Sequence, residues 1–284
     1  MQIREYSLPQ GWFPRNPDDI SGEISGYLKG FACPAADSLA CLAPHAGWYY
    51  CGRLMALSCA SLKKDVRTIA VIGGHLPANY PALFAMEDAA RTPFGILPID
   101  KELRYQLMNK IDSLSCGCAE DRYKDNTIEV LLPMVHYFFP EADLLWLRLP
   151  ASLDAYEAGK LLSKTAKKLG KLIAVIGSTD LTHYGSNYGF SPHGSGEKAL
   201  HWVRDNNDAC FIKAVESGSP EEVLLCAEKD SSSCSAGAVL GAMGFAAAEG
   251  LNSAKLLEYT TSADVDKGRP PDSFVGYASM SFGG

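Results

Sequence analysis

The chain has 284 residues, 47% of them hydrophobic and 21% charged, and a net charge of -7. That length can bury one sizeable core. The acidic balance, with no basic run beyond the pairs Lys63-Lys64 and Lys167-Lys168, argues against a nucleic-acid surface. No apolar segment approaches the ~20 residues that span a bilayer, and residues 1–6 lack the apolar stretch of a signal peptide, so a cytoplasmic protein with no membrane or nucleic-acid partner is expected.

Residues 1–36 are rich in Pro and Gly and weakly periodic, and read as a lead-in segment to a single domain covering 1–284. A pattern then recurs: a short continuous apolar run, a turn, and a helical stretch. Residues 39–42 are the first run, followed by Ala43-Pro44-His45-Ala46-Gly47 and a helix near 50–63. Residues 68–72 precede Gly73-Gly74-His75, 144–149 form another run, and 172–176 precede Gly177-Ser178-Thr179-Asp180. Continuous apolar runs fit strands buried on both faces, so the fold class is α/β: a mostly parallel central sheet flanked by helices. Further helices are predicted near 127–138, 154–169, 197–216, 220–228 and 236–249, and closing strands at 255–261 and 274–282. The stretch Arg269-Pro270-Pro271-Asp272 reads as a loop between those strands.

Three of the four core runs end in Gly-flanked polar loops carrying His45, His75, Asp180 and His183, half of the six histidines among them. Ligands collect at the carboxyl ends of strands in parallel α/β sheets. Singly, His45 and His75 are as well explained as packing or loop histidines, and Asp180 with His183 as a turn and a surface imidazole. Together they favour a site, with Asp180 and His183 as an acid/base pair or as support for other groups. Cys234, in Ser233-Cys234-Ser235-Ala236-Gly237, precedes a small-residue helix whose N-terminus favours a thiolate, although spacing alone fits an ordinary small helix-start residue. Asp125, Asn126 and Glu129 read as helix capping. His136, His193 and His201 read as structural or solvated, and Cys116-Gly117-Cys118 as bland. The nine cysteines, an odd number without bridge spacing, read mostly as free buried thiols, Cys59, Cys210 and Cys226 among them.

Six segments, in order, resemble the Memo family. Ala43-Pro44-His45-Ala46-Gly47-Trp48 is similar to its APHAGY motif, Ile72-Gly73-Gly74-His75 to GPSH, and Thr92-Pro93-Phe94-Gly95 to TPLG. Asn126-Thr127-Ile128-Glu129-Val130-Leu131-Leu132-Pro133 resembles HSLEVQLP, Ser178-Thr179-Asp180-Leu181-Thr182-His183-Tyr184-Gly185 resembles SSDFSHYG, and Ser233-Cys234-Ser235-Ala236-Gly237 resembles the family's Cys-Gly turn. The resemblance implies a fold related to class III extradiol dioxygenases, which are non-haem iron enzymes. It places His45, His75 and Cys234 at metal-ligand positions, and His183, with Asp180, at the place of a catalytic acid/base. Departures are Asn126 for a family histidine, Asp125 for the preceding Glu, Leu76 for a second histidine, and Ser235 for Gly.

The implied function is that of a metal-binding protein and metal-dependent oxidoreductase. It would hold one transition-metal ion, iron first and copper or zinc as alternatives, and act on a small-molecule or peptide ligand. The alternative is a non-catalytic metal- or peptide-binding partner of a radical-SAM and AMMECR-type system. A cysteine hydrolase built on Cys234, His183 and Asp180 is a third option, which leaves His45 and His75 without a role.

Overall fold

The computed structural model describes residues 1–30, 36–267 and 271–283. The chain opens with a two-residue strand, β1 (Ile3–Arg4), and a helix, α1 (Pro17–Leu28). Asn16 sets the start of α1: its side chain accepts from the Asp18 amide, and Pro17 fills the first turn. The segment expected to be mere lead-in therefore holds a helix, pinned by buried Ile20 and Ile24. Residues 31–35 of that segment, and Arg269 and Pro270 of the expected late loop, lie outside the described residues.

The remaining elements follow in order: β2 (Ala40–Ala43), α2 (Trp48–Ser61), β3 (Thr68–Gly73), β4 (Ala82–Phe84), β5 (Ala89–Thr92), β6 (Gly95–Pro98), α3 (Lys101–Ile111), β7 (Cys118–Glu120), α4 (Asn126–Glu129), α5 (Leu132–Phe138), β8 (Asp143–Arg148), α6 (Leu153–Lys168), β9 (Ile173–Ser178) and β10 (His183–Gly185). Then come α7 (Glu197–Trp202), a π-helical stretch at Val203–Asp208, α8 (Ala209–Glu216), α9 (Pro220–Asp230), α10 (Ala236–Ala248), β11 (Ala254–Thr261), α11 (Ser262–Val265) and β12 (Ser273–Phe282). The helix expected over 127–138 is two short helices, and the one over 197–216 is interrupted by the π-helical stretch.

The main sheet runs β10-β12-β2-β9-β3-β8-β4-β7, with β11 also paired to β12. Its centre, β2-β9-β3-β8, is parallel throughout, with Ala43 opposite Ser178 and Gly73 opposite Arg148. The expected parallel core is present, but β12 joins β2 antiparallel and β4 joins β8 antiparallel, so the whole sheet is mixed. The margins are short or late strands whose connections allow reversal, whereas the four core strands each return through a crossover.

Residues along the core strands alternate between two apolar layers. Leu42, Ile72, Leu145, Leu147 and Val175 pack with α6, α8 and α10. Cys41, Ile69, Val71, Trp146 and Ile176 pack on the other face with α1, α2 and α5. Burial on both faces is why these strands read as unbroken apolar runs. It also leaves the loops at their carboxyl ends as the place where polar groups can gather. Among the described residues, no helix is long and apolar enough to cross a membrane.

Candidate metal centre

Two of those loops converge with the turn that precedes α10. His45 follows β2, His75 follows β3, and Cys234 lies in the turn before α10. One ligand atom from each falls within 4.8 Å of the others, a grouping able to hold a metal ion. His45 Nε2 is 3.1 Å from Cys234 Sγ, and the His45 and His75 rings meet edge-on with centroids 4.9 Å apart.

Glycines let the loops come this close. A Cβ on Gly73 would lie 2.9 Å from Ile128 Cγ1, and one on Gly74 would lie 2.5 Å from Ser235 Cβ and 2.8 Å from Ser235 Cα. The residue before His75 is thus packed against the residue after Cys234. His75 itself has φ +57°, in the left-handed region that a non-glycine residue enters at a cost. It is held there by its side chain: Nδ1 is 2.9 Å from Asp125 Oδ2.

Each imidazole is tied through Nδ1, which leaves Nε2 for the centre. His45 Nδ1 is 2.9 Å from Ser178 Oγ at the end of β9, and its backbone amide donates to Asp180 Oδ1 at 2.7 Å. The Asn126 side chain donates to the His45 carbonyl at 3.0 Å. Asp125 does cap α4, accepting from the Thr127 amide through Oδ1, but its second oxygen is shared by His75 and Arg148 Nη2, the latter at 3.2 Å. An imidazole steadied by a carboxylate or hydroxyl on its far nitrogen is the usual support of a metal-binding histidine. The capping expectation for Asp125 therefore covers half of its role. For Glu129 it misses the main one: that carboxylate accepts the Ser7 and Leu8 amides at 2.8–3.0 Å and fastens the N-terminal segment beside the site.

The cluster's electrostatics centre on sulfur. Burial opposes a charged Cys234, but the His45, His183 and His75 rings around it hold its thiol well below the ordinary range. Burial also opposes charge on His75, whose side chain is 30% exposed at the rim, yet Asp125 and Cys234 outweigh it and raise the imidazole to about 10. His183 likewise stands at about 10, with burial overcome by Asp180 and Cys234. Asp125 is held well below the carboxylate range, its partial burial overcome by His75 and Arg148. Two imidazole nitrogens and a thiolate sulfur, all able to shed protons to a cation, suit a borderline-soft transition metal.

Asp180 and His183 lie beside the triad. Asp180 Oδ2 is 3.9 Å from His45 Nε2 and 3.8 Å from His183 Nε2, too long for a hydrogen bond to either. His183 Nε2 is buried and makes no hydrogen bond, and its ring packs on Tyr188 with centroids 5.0 Å apart. A cavity of about 470 Å³ opens here, lined by Asp180, His183, Asn126, Tyr50, Tyr188 and Tyr277, with Gln10–Trp12 of the N-terminal segment across it. Ser178, Asp125 and Arg148 escaped the sequence reading as supports of the site. Asp125 carried a signal, since a cap residue has a second oxygen to place, whereas Arg148 closes an apolar run with nothing local to mark it.

The other histidines stay apart from this cluster. His136 is bonded to Thr92 Oγ1, His193 packs on Trp202, and His201 pairs with Asp205 at the surface. Of the cysteines expected to be buried, Cys59 is buried, Cys226 is half-buried and Cys210 is exposed.

The family profile described as Memo-like protein matches residues 4–281. A MEMO1 family protein of Pyrococcus horikoshii is 26% identical over 98% of this chain and 99% of its own. One of Methanococcoides burtonii is 28% identical over the same shares, and one of Pyrococcus abyssi is 29% identical over 84% of each chain. Among solved structures, an uncharacterized protein of Escherichia coli K12 superposes with a TM-score of 0.52 at 13% identity, covering 86% of this chain and all of that one, a likeness of fold. The six ordered motifs, the profile spanning nearly every residue and the full-length relatives agree, and this chain belongs to the Memo family.

Proposed function

We propose that the protein binds one transition-metal ion through His45 Nε2, His75 Nε2 and Cys234 Sγ, and uses it as a metal-dependent oxidoreductase acting on a ligand in the adjoining cavity. The observation that carries this reading is the pairing of convergence with support. Three donors from three separate loops meet within 4.8 Å, and each histidine has its other nitrogen engaged by Ser178 or Asp125. Histidines that merely filled a core would have no reason to direct their free nitrogens at one sulfur.

Iron is the first expectation, and the soft thiolate admits copper or zinc. When bound, the ion supplies a Lewis-acid or redox centre. The chain's own groups supply the rest. His183 lines the cavity, with Nε2 3.8 Å from Asp180 Oδ2 and making no hydrogen bond, and is suited to giving or taking a proton on a bound ligand. Tyr50, Tyr188 and Tyr277 give the cavity aromatic walls. A thiol hydrolase built on Cys234, His183 and Asp180 fits less well: the imidazole hydrogen-bonded to Cys234 Sγ, at 3.1 Å, is that of His45, and such a site leaves His75 and its Asp125–Arg148 support unexplained.

Elemental analysis of protein purified without added metal, beside Cys234→Ser and His45→Ala variants, tests the proposal. Near one equivalent of a transition metal in wild type and little in either variant is expected. Folded wild type that takes up no iron, copper or zinc on titration removes it. Oxygen uptake by metal-loaded protein with candidate phenolic or thiol reductants then separates an oxidoreductase from a metal-holding partner protein.

A further inference from the structure

Cys210 in α8 and Cys226 in α9 bring their sulfurs to 3.5 Å. Neither is in the metal cluster, and the groups that act on Cys226 are Cys210, Asp230 and Glu222. Among the eight described cysteines Cys210 is the exposed one, while Cys226 is half-buried and packed against the main core. The contact is held by its surroundings. Asn207, in the π-helical stretch that leads directly into α8, donates from Nδ2 to the Asp230 carbonyl at the end of α9 at 2.8 Å, and to Thr182 Oγ1 at 2.9 Å. The two elements are thus fastened near the sulfurs by a buried amide, and Cys226 has the core behind it. A disulfide would close the 3.5 Å separation of the two sulfurs to about 2.05 Å.

We propose that Cys210 and Cys226 form an oxidisable dithiol whose co-substrate is a hydroperoxide and whose product is a disulfide tying α8 to α9. The exposed Cys210 sulfur attacks the distal oxygen of hydrogen peroxide, the O–O bond breaks, and one water leaves, with Cys210 now a sulfenic acid. The Cys226 sulfur then attacks Cys210 sulfur and displaces the hydroxyl as a second water. Both thiol protons leave in the waters, two electrons pass from the sulfur pair to the peroxide, and an S–S bond replaces two S–H bonds. The division of labour follows from placement: Cys210 meets solvent first, whereas burial and the neighbouring Cys210 thiol raise the Cys226 thiol to about 11 and keep it a resolving group. Glu222 and Asp230 beside the pair favour a small neutral oxidant over an anionic disulfide.

Trypsin cuts after Arg204, Lys213 and Lys229, so only a disulfide holds fragment 205–213 to fragment 214–229. Full-length protein treated with equimolar hydrogen peroxide, alkylated and digested without reductant is expected to give that linked pair, less two hydrogens, and to lose it after dithiothreitol. The oxidised protein should melt about 5 °C higher than the reduced form, because a closed loop of this size constrains the unfolded chain. Cys226→Ser should lose the linked pair and hold Cys210 as a sulfenic acid at one equivalent of peroxide, trapped by dimedone, which a second equivalent carries to sulfinic acid, and Cys210→Ser, at an exposed position, should fold normally and leave Cys226 reduced. Wild type in which Cys210 is oxidised to a sulfenic or sulfinic acid with no linked pair, or in which Cys226→Ser does not change the fate of Cys210, overturns the proposal.

Discussion

Adding one methyl group at Gly74 drives a wedge between the two loops that carry His75 and Cys234. The new carbon would stand 2.5 Å from Ser235 Cβ and 2.8 Å from Ser235 Cα, where ordinary carbon contacts are about 3.5–4.0 Å. Ser235 meets it with its backbone and first carbon, which cannot swing aside, so the loops must part by about 1 Å. A metal site tolerates only about 0.2 Å of change in its bond lengths. Gly74→Ala should therefore weaken metal binding by at least about ten-fold, the size of effect seen when a ligand's support is lost. The overpacking itself should cost about 1–3 kcal/mol of stability. Gly241→Ala is the control: it lies further along α10 and would meet the side-chain ends Leu149 Cδ1 at 2.6 Å and Ile72 Cδ1 at 3.0 Å, which can rotate. It should lower stability and leave affinity alone. Ser235→Gly in the Gly74→Ala background should restore part of the affinity, since the Ser235 side chain makes no capping hydrogen bond to α10. Affinity is read by competition with a coloured chelator and stability by thermal melting. Gly74→Ala protein that binds metal as tightly as wild type refutes the claim that this contact sets the distance between the two ligands.

Asp125→Asn should keep the cap on α4, because Asn caps as well as Asp, and yet lower metal affinity about 10–100-fold through loss of the carboxylate on His75 Nδ1; unchanged affinity in the chelator assay would assign Asp125 to capping alone. Gly22→Ala and Gly26→Ala, in exposed positions of α1 with open space around each Cβ, should each stabilise by about 0.5–1 kcal/mol, and a lowered melting temperature would contradict a helix over this segment. Burial raises the Asp208 carboxyl to about 6, against hydrogen bonds from Thr182 and Tyr259. The folded state then holds a proton that the unfolded chain releases near pH 4, so stability should fall as pH rises from about 4 to 6, by up to about 3 kcal/mol from this group. Asp208→Asn should flatten that part of the profile in denaturant melts, and an unchanged slope would rule the group out.

How much of this was legible beforehand divides along a physical line. The four core strands announced themselves because burial on both faces demands unbroken apolar runs, and His45, His75 and Asp180 could be placed because strand ends are fixed by those runs. The margins were not legible. Strands such as β4 and β7, three residues each, carry too few side chains for a period, and α1 hid in a Pro- and Gly-rich stretch although Asn16-Pro17 is a sound helix start. Cys234 is the instructive case. Its own surroundings, a run of serines before a small-residue helix, favour a thiolate at the helix start but fit an ordinary small residue equally well, and the ordered family motifs decided between them. The structure supplies the missing reason in Gly74, whose lack of a side chain is what admits Ser235.

The same geometry explains why the site's supports could not be read locally. Every supporting contact crosses between loops: Ser178 at the end of β9 steadies a histidine after β2, Asp125 before α4 steadies one after β3, and Asp180 accepts the amide of His45. None of these pairs is closer than 50 residues in sequence, so no window along the chain contains both halves of any of them. Such a site is cooperative by construction. Moving one loop shifts a ligand carried by it and also releases a ligand carried by its neighbour, and losses on separate substitutions should then fall short of additivity. Asp125→Asn and Gly74→Ala both act on the placement of His75, so combining them should cost clearly less than the sum of the two single losses of affinity. Full additivity would mean that each acts on the metal separately and that the loops are not one unit.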